Sequence, residues 1–355
     1  MIKYKMNNAD KIKIKNKTIG AGQACFIIAE VGVNHNGSIK LAKKLIDAAK
    51  ACGADAVKFQ TFWADELALQ TAPKANYQKR YDCHTSQYHM LKNLQLSEKE
   101  FIDLSAYAQK NHIIFLSSPF DYKSADILYE LDVPAFKIGS GELTNLPFLQ
   151  KIAKYGKPVI LSTGMASMRE VKEAVKTIIS AGNRKLVLLH CTSNYPARYN
   201  NINLRAMNVL TDSFSLPVGY SDHSAGIEVA IAAVALGASV IEKHLTLNRN
   251  MPGPDHLASL EPKEMAELIR SIRNVELSLG NGEKRPAKSE LGIRKISRKS
   301  IVAAKDIASG QKISGDMIAM KRPGTGILPK YFNQIVGRRA KQNIKKDSLF
   351  NWRMI

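Results

Sequence analysis

The chain has 355 residues, 45% of them hydrophobic and 23% charged, which is ample core-forming material and excludes disorder, collagen and coiled coil. Its formal charge of +21 gathers at one end, where residues 281–355 hold 18 Lys/Arg against 5 Asp/Glu. Such an excess suits small anionic substrates as well as nucleic acid. With no zinc-finger spacing, RNP-like motif or helix-turn-helix pattern, no nucleic-acid partner is expected.

The opening residues, MIKYKMNNADKIKIK, are basic but lack the apolar stretch of a signal peptide. No run approaches the roughly 18 uncharged apolar residues that cross a bilayer, so no membrane partner is expected. Cys25, Cys52, Cys83 and Cys191 form no CxxC pair, and a reduced, cytoplasmic protein follows.

From residue 26 onward a short apolar run followed by a helical stretch recurs eight times: FIIAEVG, ADAVKFQ, HIIFLSS, PAFKIGS, PVILSTG, KLVLLHC, LPVGYSD and ASVIEKH. The segments between them, such as SIKLAKKLIDAAKACG and MREVKEAVKTIISAG, show helical three-to-four spacing and close on glycine. Strands apolar almost throughout, alternating with helices, predict a parallel sheet covered on both faces. Eight units predict a (β/α)8 barrel over residues 1–280, with an N-terminal extension. An open doubly wound sheet is the rival, but AEVGVNHNG stands where its GxGxxG would be. The long connection from about Phe62 to Leu96 reads as a functional loop or lid. After Gly280 a polar, charged stretch reads as a linker over 281–296, and residues 297–355 read as a small turn-rich second domain.

Barrels of this kind carry their chemistry at the C-terminal ends of the strands. Here those ends supply Glu30, Lys58 and Gln60, then Ser118, Lys137, Ser140 and Ser162, then Ser193 and Tyr195, and finally Ser221, His223, Glu242 and His244. A buried ammonium needs an anion. Lys58 and Lys137, with the surrounding hydroxyls, form a donor-rich pocket suited to a phosphate and a carboxylate; alternatively each lysine pairs with Glu30, Glu142 or Glu242 inside the barrel. His223 and His244 end adjacent strands, so their imidazoles can converge on one cation, or each can bond a neighbouring carboxylate, Asp222 or Glu242. Two histidines leave room for water and substrate, which fits a Lewis-acid ion better than a closed structural zinc. His35 is open between loop scaffold and site, and His190 reads as packed.

Taken together, AEVGVNHNG, VKFQT, SSPFD, FKIGSGE, ILSTGM, HCTSNYP, GYSDHS, IEKH, GPDH and KRPGTGI resemble the ordered motifs of the sialic acid synthases, over about residues 20 to 355. The resemblance implies a (β/α)8 TIM barrel followed by an antifreeze-like (SAF) domain. It also implies a transferase that condenses phosphoenolpyruvate with the open-chain aldehyde of an N-acyl mannosamine-type sugar, releasing phosphate by C–O cleavage. Lys137, Ser118, Ser140, Ser162, Ser193 and Ser221 would hold the phosphate and Lys58 the carboxylate. Gln60, Tyr195 and Asp255 would line the sugar site, and Glu30 would meet sugar hydroxyls. Glu30 and Glu242 are candidates for organising water and protons. His223 and His244 match the family's manganese or magnesium ligands. Members form a domain-swapped homodimer in which an arginine, here Arg322, reaches the partner's sugar. N-acetylneuraminate is taken first as product, with legionaminate, made from a 2,4-diacetamido-trideoxy hexose, as the alternative that the motifs do not separate from it, and pseudaminate behind both because the VNHNG and SGE motifs are retained. Outside enzymes, the alternative is a polyanion-binding protein.

Overall fold

The computed structural model describes residues 11–75 and 86–355, which form two compact units, one ending at Gly280 and the other beginning at Asn281. Cys83 and the centre of the connection read as a lid lie outside the described residues. The described parts of that connection are not irregular throughout: they hold helices Ala64–Leu67 and Gln87–Leu94, the second capped by Ser86.

The first unit opens with a hairpin, β1 (Ile12–Ile14) antiparallel to β2 (Lys17–Ile19). Eight parallel strands follow: β3 (Phe26–Gly32), β4 (Ala56–Thr61), β5 (Ile114–Pro119), β6 (Phe136–Ile138), β7 (Val159–Ser162), β8 (Leu186–Cys191), β9 (Val218–Asp222) and β10 (Val240–His244). Their order, β5-β4-β3-β10-β9-β8-β7-β6, brings the last strand beside the first. β6 returns next to β5 and completes the barrel expected from the alternating runs.

Each strand alternates between two environments because successive side chains point to opposite faces. Phe26, Ile28, Ala56, Ile114, Leu116, Ile160, Val187, Leu189 and Val240 face the barrel interior, where Ile12, Ile14 and Ile19 of the hairpin pack onto them. The hairpin thus seals the N-terminal end of the barrel, and the polar strand ends lie at the other. Ile27, Ala29, Val31, Val57, Phe59 and Phe115 face outward into the layer shared with the helices. Those helices bury stripes at helical spacing, such as Ala42, Leu45, Ile46 and Ala49 of Ile39–Ala51. Their starts are fixed by capping boxes, Ser97 with Glu100 and Ser167 with Glu170.

The second unit pairs β11 (Ser300–Ala303) with β12 (Ile318–Lys321) around Ile301, Ile307, Ile313, Ile335, Ile344 and Phe350. The stretch read as a linker contains a helix, Glu290–Ser297. Its Leu291, Ile293 and Ile296 are exposed, so no packed stripe marks it out from the charged residues around it.

Gly219 shows how tightly the interior is filled: a Cβ there would sit 2.5 Å from Val240 O and 2.7 Å from Leu189 Cδ2. Gly219→Ala is therefore expected to cost about 1–3 kcal/mol of stability by overpacking, read from the urea midpoint at unchanged slope.

Candidate active site

Above the apolar interior layer the inward positions turn polar. Glu30 on β3 lies in register with Lys58 on β4 and with His244 on β10, and Glu242 on β10 with Ser221 on β9. The register alone brings residues more than 200 positions apart side by side.

The two lysines and two glutamates form one buried cluster. Lys58 Nζ lies 2.8 Å from Glu30 Oε2 and 3.6 Å from Glu242 Oε2, and it donates to Ser118 Oγ at 3.0 Å. Lys137 Nζ lies 3.2 Å from Glu242 Oε1, which also accepts from Ser221 Oγ at 2.8 Å. Gln60 Nε2 donates to Glu30 Oε1 at 3.3 Å. Interior ion pairing is thus realised with Glu30 and Glu242 but not with Glu142, which is bonded instead by Asn145.

The surroundings drive the two carboxyls apart. Burial raises the Glu30 pKa, Lys58 only partly offsets it, and Glu242 adds to it. Burial also works to raise Glu242, but Lys137, Lys58 and the Ser221 hydroxyl outweigh it and hold that carboxyl low. Lys58 is held up because Glu242 and Glu30 outweigh its burial; Lys137 is lowered by burial that its partners do not cancel. Glu30 is therefore the group able to carry a proton near neutrality, and Glu242 the permanent anion.

Beside Lys137 the hydroxyls form a corner around Gly164. Gly164 N donates to Ser140 Oγ at 3.0 Å, Ser140 Oγ meets Cys191 Sγ at 3.1 Å, and a Cβ on Gly164 would lie within 3 Å of Ser140, Cys191 and Ser193. Ser162 Oγ is buried with no hydrogen-bond partner among the described residues. Sequence reasoning missed Cys191 and Gly164 here, although both stand inside motifs it had marked. An adjoining cleft of about 660 Å³ runs along Thr163, Met165, Cys191, Ser193, Asn194 and Arg205, to one side of the histidines.

The imidazoles of His223 and His244 meet edge to face, with centroids 5.5 Å apart and planes inclined by 62°, and the Tyr195 ring lies 4.2 Å from the first and 5.6 Å from the second. His223 Nδ1 lies 2.8 Å from Thr192 O. A carbonyl only accepts, so Nδ1 carries the proton and Nε2 the lone pair. The alternative of a bond to Asp222 is not realised: that carboxylate faces away, toward Lys243. His244 Nδ1 is buried, has no hydrogen-bond partner among the described residues, and lies 4.0 Å from Asp255 Oδ2. Burial lowers both imidazoles, His223 to about 4 and His244 well below the ordinary range, the latter helped by His223 and Lys58. Asp255 is pushed up to about 6 by burial.

His223 Nε2 lies 3.5 Å from Ser221 Oγ, whose hydrogen goes to Glu242, so its lone pair, like the unpartnered nitrogen of His244, suits a divalent cation. Among the described residues no group of three or more His, Cys, Asp or Glu is arranged to hold a metal, so the protein would supply two ligands at most from this pair. His35 Nδ1 accepts from Gly37 N at 3.1 Å and its ring lies 6.1 Å from outward-facing Phe59, while its buried Nε2 has no hydrogen-bond partner among the described residues. His190 ties its strand to the following loop through Ile202 O at 2.7 Å. Arg322 belongs to the second unit, where it is exposed and its Nε donates to Ser297 O at 3.1 Å.

Thus the barrel brings together fourteen of the fifteen residues singled out, and Arg322 lies outside its unit. Since Lys58 neutralises two buried carboxylates, Lys58→Met is expected to cost about 3–5 kcal/mol at neutral pH, measured by urea denaturation. Acidification should recover part of that loss as Glu30 takes up a proton.

Comparison with known proteins places these features in a wider set. A model described as the NeuB family matches residues 45–284, and one described as the SAF domain matches residues 298–355. The chain is 51% identical over 344 residues to the N,N'-diacetyllegionaminic acid synthase of Legionella pneumophila, covering 96% of this chain and 97% of that protein. It is 49% identical over 327 residues to the enzyme of the same name from Campylobacter jejuni, covering 91% and 98%. Among solved structures, the N-acetylneuraminic acid synthetase of Leptospira borgpetersenii superposes with a TM-score of 0.71 at 36% identity, covering 80% of this chain and 95% of that one.

Proposed function

The chain belongs to the NeuB family, with a SAF domain appended, and from that premise we propose that it condenses phosphoenolpyruvate with the open-chain aldehyde of an N-acyl mannosamine-type sugar, releasing phosphate. The observation that carries this reading is the meeting, at one barrel mouth, of two buried lysines, a corner of hydroxyls and two neutral, neighbouring imidazoles. Of the two acceptors that the motifs leave open, the diacetamido hexose is the better supported. Relatives named for legionaminic acid are 51% and 49% identical, against 36% for the neuraminic acid synthetase. Legionaminate is thereby set ahead of N-acetylneuraminate, which the sequence reading takes first.

In this reading Lys137, with Ser118, Ser140, Ser162, Ser193 and Ser221, seats the phosphate, and Lys58 the carboxylate. The cluster of two lysines and two glutamates is neutral when fully ionised, so an incoming trianion needs added positive charge. Glu30 is placed to supply part of it by holding a proton, which loosens its claim on Lys58. Glu242 stays ionised and keeps Lys137 and Lys58 in place. His223 and His244 would hold Mn2+ or Mg2+, which when bound supplies Lewis-acid polarisation of the aldehyde oxygen. Gln60, Tyr195 and Asp255 line the sugar side, and Glu30 lies within reach of sugar hydroxyls. The enol carbon forms the new bond to the aldehyde carbon as Glu30 gives its proton to the aldehyde oxygen; water adds at the former enol carbon, whose C–O bond to phosphate then breaks, the second water proton leaving with the phosphate. Glu242 and the now ionised Glu30 order that water, and Glu30 takes the first proton it loses.

The assembly implied by the motifs is a homodimer in which Arg322 of one subunit serves the other's sugar site. Mixing Arg322→Ala with the His223→Ala variant should restore activity if that holds, and no restoration would remove the shared-site assembly.

Phosphate release with phosphoenolpyruvate and Mn2+ across a panel of N-acylated aldoses tests the substrate. At least tenfold higher kcat/KM with the diacetamido hexose than with N-acetylmannosamine is expected, and the reverse order would return the product to N-acetylneuraminate. Lys137→Ala should raise the KM for phosphoenolpyruvate about 10- to 100-fold, the loss of one charge-assisted contact of about 1.5–3 kcal/mol. An effect confined to the sugar would reject the phosphate role. Tight binding of an oligonucleotide without any response to phosphoenolpyruvate would favour the polyanion-binding reading instead.

A further inference from the structure

The lysine of β10 that faces the other way has no part in the chemistry above. Lys243 and Asp222 are both fully buried, on the outward face of their strands, and they are register partners across β9 and β10. Lys243 Nζ donates to Asp222 Oδ2 at 2.8 Å and to Ser224 O at 2.6 Å. Asp222 Oδ1 accepts from Ser224 N at 2.8 Å, from Ser224 Oγ at 2.7 Å and from Tyr220 OH at 3.3 Å.

The consequence lies in what these residues flank. Asp222 and Ser224 stand on either side of His223, and both are tied to one ammonium. That ammonium belongs to Lys243, which stands between Glu242 and His244. The β9–β10 ladder ends at the Lys243–Asp222 pair, so His223 and Ser224 lie beyond its last registered position. The bond from Lys243 Nζ to Ser224 O carries the connection across that gap. On the far side, Ala197 N donates to His223 O at 2.8 Å and His223 Nδ1 to Thr192 O at 2.8 Å. His223 is thus held to the loop after β8 by its own backbone and ring, and to β10 through its two neighbours, beside the weaker 3.5 Å approach of its Nε2 to Ser221 Oγ, which bonds Glu242.

Stability does not call for such a pair. Taking both charges out of water costs several kcal/mol per ion, and replacing a buried ion pair with neutral groups of similar shape is often neutral or stabilising. Positioning does call for it, because directional bonds fix a loop more narrowly than apolar contact, and partners behind metal-binding histidines govern affinity about 10- to 100-fold.

We propose that Lys243 and Asp222 are positioning residues that set the mutual placement of the His223 and His244 imidazoles, and with it the affinity of the cation site on which the proposed function rests. Neither touches substrate or the reacting atoms.

The test is the full-length double variant Lys243→Met with Asp222→Asn, which removes both charges and keeps an oxygen for Ser224. Three quantities are read: the urea midpoint, the Mn2+ dissociation constant from electron paramagnetic resonance, and the imidazole 15N spectrum of metal-free, histidine-labelled protein. Positioning predicts a cooperative unfolding transition close to wild type and a Mn2+ dissociation constant raised tenfold or more. It also predicts that the Nδ1-protonated signature of His223 gives way to averaged tautomers. Affinity within twofold of wild type together with an unchanged 15N pattern would overturn the proposal. Wild-type protein that binds no Mn2+ would sink the cation reading, and the 15N pattern alone would then decide the positioning claim. Should the double variant fail to fold, Asp222→Asn alone is read in the same way, with a threefold or greater loss of affinity expected and no change overturning the proposal.

Discussion

An ammonium group inside a protein must be paired or give up its proton, and the mouth of this barrel is built around that constraint. Two lysines on β4 and β6 point inward, where the carboxylates that pair with them among the described residues come from β3 and β10. The pairing is unequal. Lys58 serves both glutamates while Lys137 serves one, so Glu242 sits between two cations and Glu30 beside one. That difference in neighbours, rather than any difference in residue type, makes one carboxyl a proton carrier and the other a fixed anion.

The same strands carry a second polar system on their other face. Alternation along β10 turns Glu242 and His244 to the interior and Lys243 outward, and along β9 it turns Ser221 inward and Asp222 outward. Each side chain of the interior thus has a backbone neighbour anchored in the layer beneath the helices. The hairpin at the opposite end keeps the lower interior apolar and closed, so polar groups concentrate at the mouth alone. Gly164 and Gly219 mark the two regimes: one leaves space for hydroxyls and a thiol to converge, the other lets strands pack without a gap.

Membership of the NeuB family and the barrel-plus-SAF organisation agree with the motif order read from the chain. The motif order carries no distinction between the relatives named for different products, and the similarity to those named for legionaminic acid extends over more than nine-tenths of the chain.

Much of this was legible in the residues themselves. Short runs apolar almost throughout, helical stretches at period 3.6 closed by glycine and the polar residue ending each run determined the barrel and which side chains stand at its mouth, because these are local properties of the chain. One signal was present and passed over: Lys243 lies in as apolar a run as Lys58 and Lys137, and alternation with its inward neighbours already required a buried outward partner. The helix within 281–297 was passed over because its apolar residues, Leu291, Ile293 and Ile296, stand among polar and charged neighbours whose composition reads as a linker. Only the tertiary structure decided that Lys58 chooses Glu30 and Glu242 over Glu142, that Asp222 turns to Lys243 instead of His223, and that Cys191 joins the hydroxyl corner. Those choices depend on strand register and barrel closure between segments up to some 200 residues apart, and a chain read one window at a time holds no information about which distant strand will lie beside it.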